Sequence, residues 1–129
     1  MSTNNIYKII NFLEKNNIEF DLNEKIFNEG FETLIFKYKL QNIFLFPQIK
    51  LNRDISFGIK IPLSTNYDDN DLEIYNKFNL STKYLKLFVR DEKLFLEYYT
   101  PINQSVLKIF HMLFADLEEN YSILSLIIK

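Results

Sequence analysis

Three consecutive runs of aromatic and β-branched residues, separated by very short polar gaps, constrain this chain more than any other feature. The runs are residues 33–40, 43–51 and 55–63. Such residues favour strands, and strands joined by so few residues must pair as antiparallel neighbours. Turns are expected at Asn42 and at residues 52–54. Pro47 lies inside the second run and predicts an edge strand or a bulge there.

Amphipathic segments flank these strands. Residues 3–16 read as a helix, because the apolar residues Ile6, Ile9, Ile10 and Leu13 recur at helical spacing. Residues 18–22 then alternate between apolar and polar side chains, the two-residue period of a strand. Gly30 predicts a turn before the first of the three runs.

The second half of the chain predicts a helix, a hairpin and a last helix. Asp69 or Asn70 can cap a helix that runs to about Asn79. Residues 83–89 and 94–99 are expected to form a hairpin with a four-residue turn at 90–93. The last helix is capped by Asn103 or Ser105, and it runs to the end or breaks near residues 120–122.

The predicted fold is therefore α+β, in the order helix-β-β-β-helix-β-β-helix. We expect one domain over residues 1–129, because no linker, repeat or low-complexity tract divides the chain. A mostly antiparallel five-stranded sheet with the helices packed on it would bury the apolar stripes.

Few of the residue types that carry chemistry are present. The chain has no cysteine, one histidine and two glycines, which argues against thiolate catalysis, Cys- or His-rich metal sites and a phosphate-binding loop. The one histidine, His111, lies beside Phe110 and Met112 with no nucleophile motif, and we interpret it as structural. We expect no catalytic residue, metal or cofactor, and not an enzyme.

Two acidic groups invite a functional interpretation. The run at residues 67–71 resembles a calcium loop in composition only, because its acids are contiguous and no glycine follows. Acids at a helix N-terminus stabilise the helix dipole, which is the interpretation we prefer. Asp116, Glu118 and Glu119 lie on the last helix, where we expect a solvated acidic face and not a catalytic carboxylate pair.

The formal net charge is −2, and the fifteen Lys and Arg residues are scattered along the chain. Binding to nucleic acid normally needs a basic surplus, so we do not expect a nucleic-acid partner. No apolar stretch approaches the roughly 20 residues of a membrane span, and the N-terminus lacks the pattern of a secretory signal. These features predict a protein without membrane association, and the absence of cysteine makes a reducing cytoplasm the expected compartment.

The aromatic content is the feature that most indicates a function. Thirteen Phe and eight Tyr residues exceed what alternating strands can all turn inward. Tyr98 and Tyr99 are adjacent and must point to opposite faces of a regular strand. Surplus aromatics could form a protein-contact patch or a homodimer contact, or they could simply fill a Phe-rich core. The candidate contact residues are Phe44, Phe46, Tyr98, Tyr99 and Phe114.

The order of elements resembles the fold of type III secretion chaperones and of the YbjN-like sensory-transduction regulators. In sequence, the resemblance is concentrated in residues 72–102, LEIYNKFNLSTKYLKLFVRDEKLFLEYYTPI. The pattern there is a short helix with an aromatic-Asn pair (Tyr75-Asn76), a strand, an acidic turn (Asp91-Glu92), a strand and a proline. This sequence departs from the commoner pattern in having Tyr75 where Trp or Phe is frequent, and in its Lys-rich hairpin. The resemblance implies a non-enzymatic bacterial protein-binding module, often a homodimer.

The sequence thus predicts a domain that binds another protein, as a secretion-chaperone-like or YbjN-like protein. Two alternatives stay open. One is an immunity-type protein that neutralises a toxin, since such proteins are also small, acidic and cysteine-free. The other is a small-ligand sensor with a pocket under the sheet.

Overall fold

The computed structural model describes residues 3–23, 32–53 and 55–128, so the turn predicted at Gly30 and the Asp54 end of the turn at 52–54 lie outside the described residues. The helices found in these ranges are α1 (Thr3–Lys15), α2 (Leu72–Ser81), α3 (Val106–Glu119) and α4 (Tyr121–Ile127). The strands are β1 (Phe20–Asn23), β2 (Glu32–Phe36), β3 (Tyr38–Leu40), β4 (Ile43–Leu45), β5 (Gln48–Asn52), β6 (Ser56–Asn66), β7 (Lys86–Arg90) and β8 (Lys93–Pro101).

Six of the described strands form one antiparallel sheet, in the order β1-β2-β5-β6-β8-β7. The α+β class predicted from the sequence is confirmed. The sheet has one strand more than expected, because the alternating segment after α1 pairs with β2 and becomes an edge strand. The remaining strands, β3 and β4, pair with each other as a two-stranded extension.

This extension and the β2–β5 pair belong to one long hairpin that is interrupted at Pro47. Ile35 pairs with Gln48 before the interruption and Tyr38 pairs with Leu45 after it, so the register does not shift. Pro47 has no N–H to donate to the ladder, although its carbonyl still accepts a hydrogen bond from the Phe36 N–H at 3.2 Å. Pro47 therefore marks a break inside a hairpin and not a sheet edge, since β5 lies between β2 and β6.

The core lies between the sheet and the helices. Alternate strand residues point inward and are buried: Leu34, Phe36, Ile49, Leu51, Phe57, Ile59, Ile61, Leu63, Leu94 and Leu96. Aromatic rings from α3 pack on them, with Phe110 stacked on Phe36 at 5.5 Å between ring centroids and Phe114 at 4.5 Å from Phe110. Burying one such ring contributes roughly 1.5–3 kcal/mol, so α3 is fixed mainly by this cluster.

Local signals set the helix ends in ways that the sequence predicted only in part. The N-terminal cap before α2 comes from Asp68, whose carboxylate accepts a hydrogen bond from the Asn70 N–H at 3.0 Å. Asp69 and Asn70, the predicted capping residues, instead lie inside a single 3₁₀ turn that leads into α2. The last helical segment breaks at Asn120, within the predicted range, and continues as α4.

Candidate protein-binding face

One face of the sheet carries the helices, and the opposite face is formed by the other alternate residues of the strands. We call this second surface the open face. It is built from the strand residues Asp21, Thr33, Ile35, Gln48, Lys50, Asn52, Ser56, Gly58, Lys60, Pro62, Lys86, Phe88, Arg90, Lys93, Phe95, Glu97, Tyr99 and Pro101. Tyr99 lies on β8, next to the edge strand β7, and 63% of its surface is exposed.

Gly58 and Tyr99 are cross-strand partners on β6 and β8. A Cβ atom built at Gly58 would lie 2.6 Å from Cδ1 of Tyr99, so the tyrosine ring can lie over β6 only because this residue is glycine. Beside the ring is a depression of about 410 Å³. It is lined by Lys50, Asn52, Ser56, Phe57, Gly58, Tyr99, Thr100 and Pro101.

Positive charge collects on the open face and on the hairpin extension that continues it. Among the residues that the structure describes, seven cationic and three acidic residues occupy outward positions there. The cations are Lys37, Lys39, Lys50, Lys60, Lys86, Arg90 and Lys93, and the acids are Glu19, Asp21 and Glu97. Seven basic residues that look scattered in the sequence thus share one surface of an acidic chain.

Two of these cations are held by neighbouring groups. The Lys86 ammonium donates hydrogen bonds to the carbonyls of Asn79 and Thr82, both at 2.7 Å, and so stabilises the C-terminal end of α2. Arg90 lies 3.9 Å from the Glu97 carboxylate. Burial, reinforced by Glu97, raises the pKa of Tyr99, while Arg90 acts in the opposite direction.

The hairpin extension carries two more exposed aromatics. Phe44 and Phe46 are each 52% exposed, and they share the outward direction of Gln48 and Lys50 because burial alternates without a break through Pro47. Lys37 lies over the Phe44 ring at 4.6 Å from its centroid. The extension is fixed from its inner side, where Tyr38 packs on Phe114 and donates a hydrogen bond to Glu118 at 3.0 Å.

The five predicted contact residues do not form one patch. Phe44, Phe46 and Tyr99 are exposed and face outward. Tyr98 points to the opposite side of β8, as its adjacency to Tyr99 predicts, and packs edge-on against Tyr84 at 5.7 Å. Phe114 was expected at a contact surface, but it is buried in the aromatic core with 6% of its surface exposed.

Gly58, Lys50 and Lys60 were missed as candidate residues. The signal was present in the sequence, because these residues alternate with the buried residues of β5 and β6 and must therefore point outward together. Cross-strand pairing, which the sequence leaves open, is what brings Lys50 and Gly58 next to each other and next to Tyr99.

Asp116 was expected on a solvated acidic face, and this expectation is wrong. Only 2% of Asp116 is exposed, and its carboxylate accepts hydrogen bonds from the backbone N–H groups of Lys83, Tyr84 and Leu85, each at 3.0 Å. Helical spacing could have revealed its position, since Asp116 comes three residues after the buried Leu113. Its role is to tie α3 to the start of β7.

The remaining polar candidates have structural surroundings. His111 is exposed and lies edge-on to Phe12 at 5.0 Å. Tyr67 packs against Tyr75 at 5.6 Å, and a hydrogen bond with Asp69 raises the pKa of Tyr67. Among the described residues, no group of three or more His, Cys, Asp or Glu residues is arranged to hold a metal ion.

Comparison of the sequence with models of protein families and with curated proteins finds no match. Within residues 3–23, 32–53 and 55–128, no helix is both long enough and apolar enough to cross a bilayer.

Proposed function

We propose that this protein is a non-enzymatic binding module that holds another protein on its open face. The observation that carries the proposal is the one-sided packing of the sheet. The helices bury one face, and Tyr99 on the other remains 63% exposed beside a depression of about 410 Å³. Exposed aromatic residues beside a concavity are typical of the anchoring points in protein interfaces.

The wider setting of the proposal is a chaperone-like or regulatory role in a bacterial cytoplasm. It includes a homodimer whose contact leaves the open face accessible. Mild acidity, the α+β architecture and the outward aromatics support this setting, as does the resemblance in the segment from α2 to β8. An immunity role would use the same surface, with a toxin as the bound protein.

The proposal is tested by photo-crosslinking from the open face in the native host. A photoreactive phenylalanine analogue replaces Tyr99 in one variant and Leu80 in the control, since Leu80 is exposed on α2 away from the sheet face. We expect one dominant protein to crosslink to the residue-99 variant and not to the residue-80 variant. Equal products from both variants, or no protein product from residue 99, would contradict the proposal.

A small-ligand sensor is a second candidate, favoured specifically by the depression beside Gly58. Its volume is within the range of about 300–1,000 Å³ that is usual for small-molecule sites. It lies on the open face and not under the sheet, where the sequence-based hypothesis placed such a pocket. A metabolite that copurifies with the protein and is lost from a Gly58→Trp variant would favour this role over protein binding.

A further inference from the structure

The centre of the open face combines paired positive charge with an apolar hollow. Lys50 lies directly across from Gly58, and Lys60 follows two residues further along the same strand. Diagonal neighbours of this kind on adjacent antiparallel strands are about 7–8 Å apart along the backbone. Two cationic side chains therefore start from the same region of the face, which favours an anionic group in a bound partner.

The hollow adds a preference for one apolar group. It lies beside the Tyr99 ring, and that ring itself covers the bare backbone of Gly58. The rim of the hollow is cationic at Lys50, and Lys60 and Arg90 border the neighbouring concavity on the far side of Tyr99. A partner that places an apolar side chain in the hollow brings the residues that flank this side chain close to the positive rim. Those flanking residues must therefore be compatible with positive charge.

Two aromatic rings on this surface, Phe95 and Phe44, are poorly placed to stack on nucleic-acid bases. Lys60 lies over the Phe95 ring at 4.3 Å and Lys37 lies over the Phe44 ring at 4.6 Å, so an ammonium group already covers one side of each ring. Single-stranded nucleic acids are bound through accessible ring faces and a strongly basic groove. The chain has a net charge of −2 and only two Arg residues, which also disfavours a long polyanion.

From this arrangement we infer the chemistry of the partner. We propose that the open face binds a short acidic protein segment, whose one large apolar side chain enters the hollow beside Tyr99 while its flanking carboxylates pair with Lys50 and Lys60. This inference rests on the proposed function, because it specifies which protein segment the binding module recognises. Charge complementarity carries it, since the rest of the molecule is acidic and this face is not.

The test uses a synthetic peptide with one Phe between runs of Asp and Glu, titrated into ¹⁵N-labelled protein. The chain has only two glycines, so the Gly58 amide signal is assigned readily from a Gly58→Ala variant. We expect saturable shifts at Gly58 and Tyr99 and none at Leu80. A peptide with Lys in place of the acids, and one with Ser in place of Phe, should each bind at least about tenfold more weakly.

Charge-reversal variants separate local pairing from long-range attraction. Lys50→Glu/Lys60→Glu should weaken peptide binding by about tenfold or more, the loss expected for two surface pairs turned repulsive. The matched control, Lys77→Glu/Lys108→Glu, makes the same charge change at exposed residues of α2 and α3 and should weaken binding less than about twofold. Equal losses in the two variants would overturn the inference.

The same variants also test two other possible ligands of the open face, a nucleic acid and a second copy of the chain. Single-stranded DNA that binds more tightly than the acidic peptide, and loses affinity in Lys50→Glu/Lys60→Glu, would overturn the inference in favour of nucleic acid. Self-association in light scattering that the same variant abolishes would overturn it in favour of a second copy. If the peptide does not bind but residue 99 still crosslinks to one protein, the acidic-segment inference fails while the proposed function stands.

Discussion

Asp116 on α3 accepts a hydrogen bond from the backbone N–H of Leu85 at 3.0 Å, across 31 residues of chain. The same carboxylate accepts the N–H groups of the two preceding residues, so it takes over the role that a neighbouring strand would have at the start of β7. Asn79 continues this role two residues further along the chain, at Leu87. Its side-chain oxygen accepts a hydrogen bond from the Leu87 N–H at 2.7 Å, and its amide donates to the Leu87 carbonyl at 3.4 Å.

Replacing Asp116 should therefore destabilise the fold strongly. Asp116→Ala leaves three buried or half-buried N–H groups without an acceptor, and we expect a loss of about 3–5 kcal/mol in the free energy of unfolding. Asp116→Asn keeps one oxygen acceptor but turns an NH₂ group toward at least one donor, so its loss should be smaller. Urea unfolding followed by far-UV circular dichroism measures both.

Glu119→Ala is the matched control for this prediction, because Glu119 is an exposed acid on the same helix. It should change the unfolding free energy by less than about 0.5 kcal/mol. If Asp116→Ala were no more destabilising than this control, the role assigned to the carboxylate would be wrong.

Replacing Asn79 should expose the edge of β7. Asn79→Ala removes both contacts with Leu87, and we expect a loss of about 1–2 kcal/mol in stability. It also leaves an unpaired strand edge next to the exposed Phe88 and Val89, which favours edge-to-edge pairing between molecules. Light scattering as a function of concentration should show association in this variant, whereas Asn76→Ala, at an exposed residue of the same helix, should behave as the parent protein does.

Stability should fall at alkaline pH because of Tyr38. Burial, together with the hydrogen bond to Glu118, raises the pKa of Tyr38. Tyr38 contributes fully to the free energy of unfolding below the ordinary tyrosine pKa of about 10. As the pH rises from there through the folded-state pKa, the contribution is lost, because the unfolded chain releases the proton first. The unfolding free energy should thus decrease as the pH rises above about 10.

The variant Tyr38→Phe isolates this effect from that of the other tyrosines. It should cost about 0.5–1.5 kcal/mol at neutral pH, where the hydrogen bond is intact, and the difference from the parent protein should shrink as the pH rises. Tyr7→Phe removes a hydroxyl from an exposed tyrosine on α1 and serves as the control at neutral pH. A difference between parent and Tyr38→Phe that does not change with pH would contradict the prediction.

The Gly58→Ala variant should separate folding from binding. The added methyl would lie within 2.7 Å of two ring carbons of Tyr99, but this ring is exposed and can rotate away, so we expect a change in stability within about 1 kcal/mol. Movement of the ring should reshape the hollow and lower the affinity for the acidic peptide. A double-mutant cycle with Tyr99→Ala checks the cause, because alanine at residue 58 should have little effect on stability once the ring is gone.

The elements themselves were largely predictable from the sequence. Helical spacing in α1 and α3 and strand alternation in β5 and β6 are local properties, and each appears in the structure close to its predicted position. The β7–β8 turn was less accurately predicted. Asp91 and Glu92 both adopt positive φ, 52° and 65°, so a two-residue turn joins the strands where a four-residue turn was expected. Neither residue is glycine, and the usual signal for this turn was therefore missing.

The candidate site was much less predictable, because it depends on which strands become neighbours. Lys50 and Tyr99 lie 49 residues apart in the sequence and meet only because β6 is inserted between β5 and β8. Long-range pairing of this kind leaves no local pattern. The burial of Asp116, by contrast, followed from helical spacing and was overlooked because neighbouring acids suggested a solvated face.

The unbroken register of the long hairpin limits how its length can change. Its outward aromatics and inward aliphatics keep their directions through Pro47 only because the two arms contain matching numbers of residues. Gain or loss of one residue between Pro47 and Phe44 would turn Phe44 toward the helices and Leu45 toward the solvent. Related sequences should therefore tolerate length changes at the hairpin tip around residues 41 and 42, while single-residue insertions and deletions in its arms should be absent.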